Sequence, residues 1–112
     1  MIRGTIYLDY KGVPQFKVDV TQFILRGNEV VFDFSGADEG SKYSGSCQLA
    51  RNGDAFEGDA FYRYEEESND HRARIVLTLG EDDGDISATG VWTEDGENEP
   101  YDLDAEFRDD GS

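Results

Sequence analysis

Apolar and polar residues alternate along nearly the whole chain, beginning with Ile2, Gly4, Ile6, Leu8 and Tyr10 set against Arg3, Thr5, Tyr7 and Asp9. A period of two marks a strand with one face in a core and the other in water. After the turn-like stretch Lys11-Gly12-Val13-Pro14 the pattern resumes at Phe16, Val18 and Val20, then slips by one residue before Phe23 and Leu25. A β-bulge near Thr21-Gln22 accounts for the slip, because one extra residue reverses which side chains face inward. Gly27-Asn28 predicts a tight hairpin turn before Val30, Phe32 and Phe34, and the polar stretch from Gly36 to Lys42 reads as a loop.

The second half repeats the pattern. Tyr43, Gly45, Cys47 and Leu49 form one apolar face, closed by Asn52-Gly53, a strong short-range hairpin signal. Phe56, Gly58, Ala60, Tyr62 and Tyr64 then face one way, with Glu57, Asp59, Phe61 and Arg63 facing the other. The acidic loop from Glu65 to Asp70 leads to Ala73, Ile75, Leu77 and Leu79. Glu81 to Asp85 leads to Ile86, Ala88, Gly90 and Trp92, and a loop from Thr93 to Pro100 to Tyr101, Leu103, Ala105 and Phe107.

About eight short strands with turn signals between them, and no long amphipathic helix, predict an all-β domain. Sequential strands joined by short turns pair antiparallel, so an up-and-down meander closing into a small β-barrel is the simplest topology; a two-sheet β-sandwich is the alternative. Gly4, Gly45, Gly58 and Gly90 fall on the inward face, where a missing side chain permits the bending of a tightly coiled barrel. The domain is expected to span residues 1–108, with 109–112 as a frayed acidic tail.

Composition agrees with a single folded unit. At 112 residues, 37% of them hydrophobic and with seven Phe and six Tyr, the chain can bury a real core. Cys47 stands alone and cannot form an intramolecular disulfide. No apolar run approaches the roughly 20 residues of a membrane helix, and no signal-like segment opens the chain, so a cytoplasmic protein with no membrane partner is expected.

Charge changes the picture more. The net charge is −16, yet residues 1–53 carry six acids against six bases (Arg3, Lys11, Lys17, Arg26, Lys42, Arg51). The other twenty acids face only Arg63, Arg72, Arg74 and Arg108. One side of a meander should therefore project a negative field, which repels nucleic acid and attracts a basic protein surface. Asp102, Asp104 and Glu106, spaced by about 6.8 Å along one strand face, could imitate a phosphate row, with Glu57 and Asp59 as a second pair. This predicts a non-enzymatic, inhibitor- or antitoxin-like module that docks a basic protein surface, of which a nucleic-acid-binding protein is one case. The plain alternatives are the solvated face of a strand and the acidic surface of a salt-adapted organism.

Other chemistry finds little support. One Cys and one His exclude zinc or dithiol redox sites, and no phosphate-binding loop or serine-nucleophile motif occurs. No metal, cofactor or catalytic residue is assigned. Glu81-Asp82-Asp83-Gly84-Asp85 lacks the spacing of a calcium loop, and Cys47 falls on the apolar face, away from a nucleophilic role with His71. A second function class comes from Tyr43, Tyr62, Tyr64, Trp92 and Tyr101, all on the inward face. Tyr43, Tyr62, Trp92 and Tyr101 are the candidates for lining a small-molecule cavity, unless they simply fill the core.

Overall fold

The computed structural model describes residues 1–109 and 111, with Asp82 described by its main chain alone. Eight strands follow one another: β1 (Ile2–Tyr10), β2 (Val13–Arg26), β3 (Glu29–Asp38), β4 (Ser41–Asn52), β5 (Ala55–Tyr64), β6 (His71–Asp82), β7 (Asp85–Glu94) and β8 (Tyr101–Asp109). Each pairs antiparallel with the next, and β8 returns to β1 over an unbroken register from Ile2↔Asp109 to Asp9↔Asp102. The sheet is a closed barrel in meander order, so the sandwich alternative falls. Among the described residues no helix is long and apolar enough to cross a membrane.

Among the described residues, every buried one belongs to the inward sets read from the alternation, from Ile6 and Leu8 on β1 to Leu103, Ala105 and Phe107 on β8. The bulge lies where the pattern slips: Val20 pairs with Phe34 and Gln22 with Asp33, leaving Thr21 as the extra residue. Phe23 is thereby returned to the core, where its ring stacks on Phe107 at 4.2 Å. Leu25 is a correction, because it is 45% exposed. It pairs with Val30 of β3 but lies past Phe23, where β1 begins at Ile2, so no strand covers its other side.

The four inward glycines are required by closure. A Cβ at Gly4, Gly45, Gly58 or Gly90 would run into the main-chain oxygen of Glu106, Phe61, Gln48 or Val76 on the adjoining strand. Strands that coil this tightly bring the neighbouring backbone into the space a side chain would take.

Several boundaries differ from the sequence reading. Gly36 to Lys42 is not a loop: β3 and β4 pair through Asp38↔Ser41 and turn on Glu39 and Gly40 alone, both at positive φ. At Asn52-Gly53 a hairpin forms, but Asn52 pairs with Ala55, so the turn residues are Gly53 and Asp54. Gly53 supplies the positive φ at the first turn position, as a type II′ turn requires. Asp109, assigned to the tail, ends β8 and receives the N-terminal ammonium at 3.2 Å. Asp110 and Ser112 lie outside the described residues.

Candidate functional site

Meander order puts the turns alternately at the two ends of the barrel. One end carries the two-residue turns 27–28, 53–54 and 83–84; the other carries turns 11–12 and 39–40 together with the six-residue loops 65–70 and 95–100. At this second end the inward positions are Tyr10, Phe16, Tyr43, Tyr62, Tyr64, Trp92 and Tyr101. Leu8, Phe16, Val18, Tyr43, Tyr62, Tyr64, Trp92 and Glu94 line a half-open cavity of about 30 Å³ there.

The rings form steep walls. Tyr43 lies 5.9 Å from Tyr62 at 60° and 5.4 Å from Tyr64 at 61°, while Tyr62 meets Trp92 at 6.4 Å and 50°. No two of these four rings are stacked in parallel. Tyr43 fits because its phenol occupies the space above Gly36, its cross-strand partner, where any side chain would collide with it. His71 closes the wall by stacking on Tyr62 at 5.2 Å, held by Glu67 at 3.1 Å from its Nε2.

Glu94 is the polar centre. The Trp92 indole donates to it at 2.9 Å and the Tyr62 hydroxyl donates to it as well. Tyr64 donates to Asp38 at 3.4 Å, and outside the cavity Tyr10 donates to Glu99. Among the described residues, no Lys or Arg lies within ion-pair distance of Glu94 or Asp38.

Burial and this negative surrounding act in one direction on the phenols. Desolvation raises Tyr43 to about 12, helped by Tyr64 and Asp38. Burial also pushes Tyr62 upward, reinforced by its hydrogen bond to Glu94. Tyr64 and Tyr101 are raised by burial first and by nearby carboxylates second. All four therefore stay neutral donors at physiological pH.

Three of the four ring residues expected to line a cavity, Tyr43, Tyr62 and Trp92, do so. Tyr101 stands beside it, edge-on to Phe16 at 5.6 Å and to Tyr10 at 6.0 Å. The reading missed Glu94, which was assigned to the loop from Thr93 to Pro100 but is the last residue of β7. Its distance of two from Trp92 was the available signal, since residues two apart share a strand face.

The carboxylates singled out for partner docking do not form one surface. Asp102, Asp104 and Glu106 are exposed on the outer face of β8, opposite Asp9, Tyr7 and Thr5 of β1. Glu57 and Asp59 stand on β5, three strands away, and Arg74 of β6 reaches both, at 3.6 and 3.7 Å. In the acidic run considered for calcium, Asp83 and Gly84 make the turn and Asp85 is held by Arg108 at 2.9 Å. Among the described residues no group of three or more His, Cys, Asp and Glu is placed to hold a metal. Cys47 is buried in the core, where loss of hydration pushes its thiol upward and keeps it protonated. Wider grooves of about 520 and 650 Å³ lie on the outer wall over Gly4 and Gly58, open to solvent and separate from the interior.

No family model matches this chain, and no curated protein matches it. Among solved structures it is similar to one described as a redesigned beta barrel, at 14% identity and a TM-score of 0.58, over 96% of this chain and 88% of that one. At that identity the likeness shows the fold alone, an eight-stranded antiparallel barrel closed in meander order.

Proposed function

We propose that this barrel is a non-enzymatic small-molecule-binding module that takes its ligand at the aromatic end of its interior. The observation that carries the reading is the cavity bounded by Tyr43, Tyr62, Tyr64, Trp92 and Glu94. Binding sites combine apolar and aromatic walls with a few placed polar groups, and here hydroxyls and one carboxylate stand among rings. The volume sets the mode. A drug-sized ligand needs roughly 300 Å³ or more, whereas about 30 Å³ takes only a head group of one or two heavy atoms. The rest of the ligand would lie across the rim formed by loops 65–70 and 95–100.

Trp92 is the single tryptophan of the chain, so its emission reports on the site alone. Titration with a set of small fragments should move the Trp92 emission and the amide resonances of Tyr43, Tyr62 and Tyr64. Val18→Leu, which pushes a methylene group into the cavity, should abolish those responses in a protein that still melts cooperatively. Fragments that bind elsewhere while these signals stay still would sink the reading.

A second reading rests on the outer face of β8. Asp102, Asp104 and Glu106 are exposed, and among the described residues none has a basic partner within ion-pair distance. Such a row suits fast, salt-dependent docking to a basic protein. Replacing all three by Lys should remove capture of a basic partner from source-cell extract at low salt, and capture that survives the reversal would exclude this face.

A further inference from the structure

Three features coincide at the aromatic end. The first is a carboxylate, Glu94, that is partly shielded from water, forms part of the cavity wall and has no basic partner among the described residues. Charges withdrawn from water are ordinarily paired, and the hydrogen bonds from Trp92 and Tyr62 leave both its negative charge and further lone pairs available. The second is the ring set around it, tilted by 50° to 67° rather than stacked. Aromatic walls attract cations through the ring quadrupole. The third is the rim. Loop 65–70 carries Glu65, Glu66, Glu67 and Asp70, and loop 95–100 carries Asp95, Glu97 and Glu99; Arg63 holds Asp70, Arg72 holds Asp95 and Lys11 holds Glu99, which leaves Glu65, Glu66 and Glu97 without a basic partner among the described residues.

These features join physically. Glu67 holds His71, which stacks on Tyr62 in the cavity wall. On the other side Glu99 accepts from Tyr10, which meets Tyr101, which in turn meets Phe16 of the same wall. A negatively charged rim thus leads into an aromatic cavity whose polar wall is a carboxylate. Metal ions fit poorly, since they need several oxygen ligands and one carboxylate lines this space. The small volume admits a primary ammonium and is tight for a quaternary one.

Resting on the reading of this end as a ligand site, we propose that the ligand is a linear aliphatic di- or polyamine, with one terminal ammonium held against Glu94 among the rings and its remaining ammonium groups on the two acidic loops. A terminal ammonium donates three hydrogen bonds and accepts none, which matches a site whose unpaired groups are the carboxylates of Glu94, Glu65, Glu66 and Glu97. The methylene chain packs on Phe16, Tyr101 and Tyr10 on its way out.

The test titrates the whole chain with butan-1-ol, butylamine, putrescine and spermidine at low salt, following Trp92 emission and heat. Affinity should rise along that series, with butan-1-ol at least about tenfold weaker than butylamine, and it should fall with added salt. Glu94→Gln should weaken all the amines by about tenfold, whereas Asp33→Asn, exposed on the outer wall of β3, should change nothing. Tetramethylammonium, as a size control, should bind more weakly than butylamine. Butan-1-ol binding as well as butylamine, with Trp92 responding to both, would overturn the amine assignment and leave the ligand site standing. So would preference for tetramethylammonium. Spermidine binding with Trp92 silent and Glu94→Gln without effect would place the amine on the general acidic surface and overturn the proposal. No response of Trp92 to any of the compounds would overturn the proposal and count against the ligand site with it.

Discussion

The two ends of this barrel are built by the same alternation and do opposite things with it. At the end carrying only two-residue turns, Phe23 stacks on Phe107 at 4.2 Å and nearly parallel to Phe32 at 6.2 Å, with Phe32 and Phe107 tilted by 41° to one another, and none of these rings carries a polar atom. At the other end Tyr43, Tyr62, Tyr64 and Trp92 stand at steep angles, each with a polar atom, around a small space. Phenyl rings can close on one another because they have nothing to satisfy. Phenols and indoles must find partners, so Glu94 and Asp38 are drawn to the mouth and the packing stays open. One end is closed apolar packing, and the other keeps polar groups and a small space beside its rings.

Substitution at each end should separate these roles. Phe107→Ala removes a fully buried ring from the stack and should cost about 3–5 kcal/mol, read from denaturant melts. A cost below about 1 kcal/mol would mean that the phenyl end is not the stabilising one.

The alkaline limb should belong to the tyrosine end. Tyr43 has a folded-state pKa of about 12 against an ordinary value near 10. The stability this provides is fully present below pH 10 and is lost as pH rises toward 12, because the unfolded phenol releases its proton first. Unfolding midpoints should therefore drop between pH 10 and 12, by an amount on the order of 2 kcal/mol. Tyr43→Phe should make that limb shallower, with the raised Tyr62, Tyr64 and Tyr101 carrying the remainder, and an unchanged limb would contradict the assignment.

Tyr62→Phe is the smallest change, because it deletes one hydroxyl and its bond to Glu94. It should cost about 1 kcal/mol or less while shifting the Trp92 emission, since the shared carboxylate is freed toward the indole. A loss as large as that of Phe107→Ala would erase the distinction between the ends.

Much of the fold was legible because burial on one face leaves a periodic trace. The Thr21 bulge could be placed from a single slip, and Gly4, Gly45, Gly58 and Gly90 announced the tight coiling that their clashes now explain. Leu25 misled because alternation says which side a residue faces but not how near the barrel's end it lies. Glu94 was obscured by its acidic neighbours, although its parity with Trp92 set it on the inner face. The pairing of Glu57 and Asp59 with Arg74 was hidden for another reason: it depends on the register between β5 and β6, where Asp59 faces Arg74.

Local pattern is therefore enough to determine the strands, their inward faces and the all-β class, since each follows from neighbours one or two residues apart in an alternating chain. Barrel closure and the site needed the three-dimensional arrangement. Pairing of β8 with β1 gathers one end of all eight strands into a single ring, and only there do Tyr43, Tyr62 and Trp92, on three different strands, meet Glu94 around one space. Distances between strands are set by register and curvature, which no stretch of sequence carries by itself.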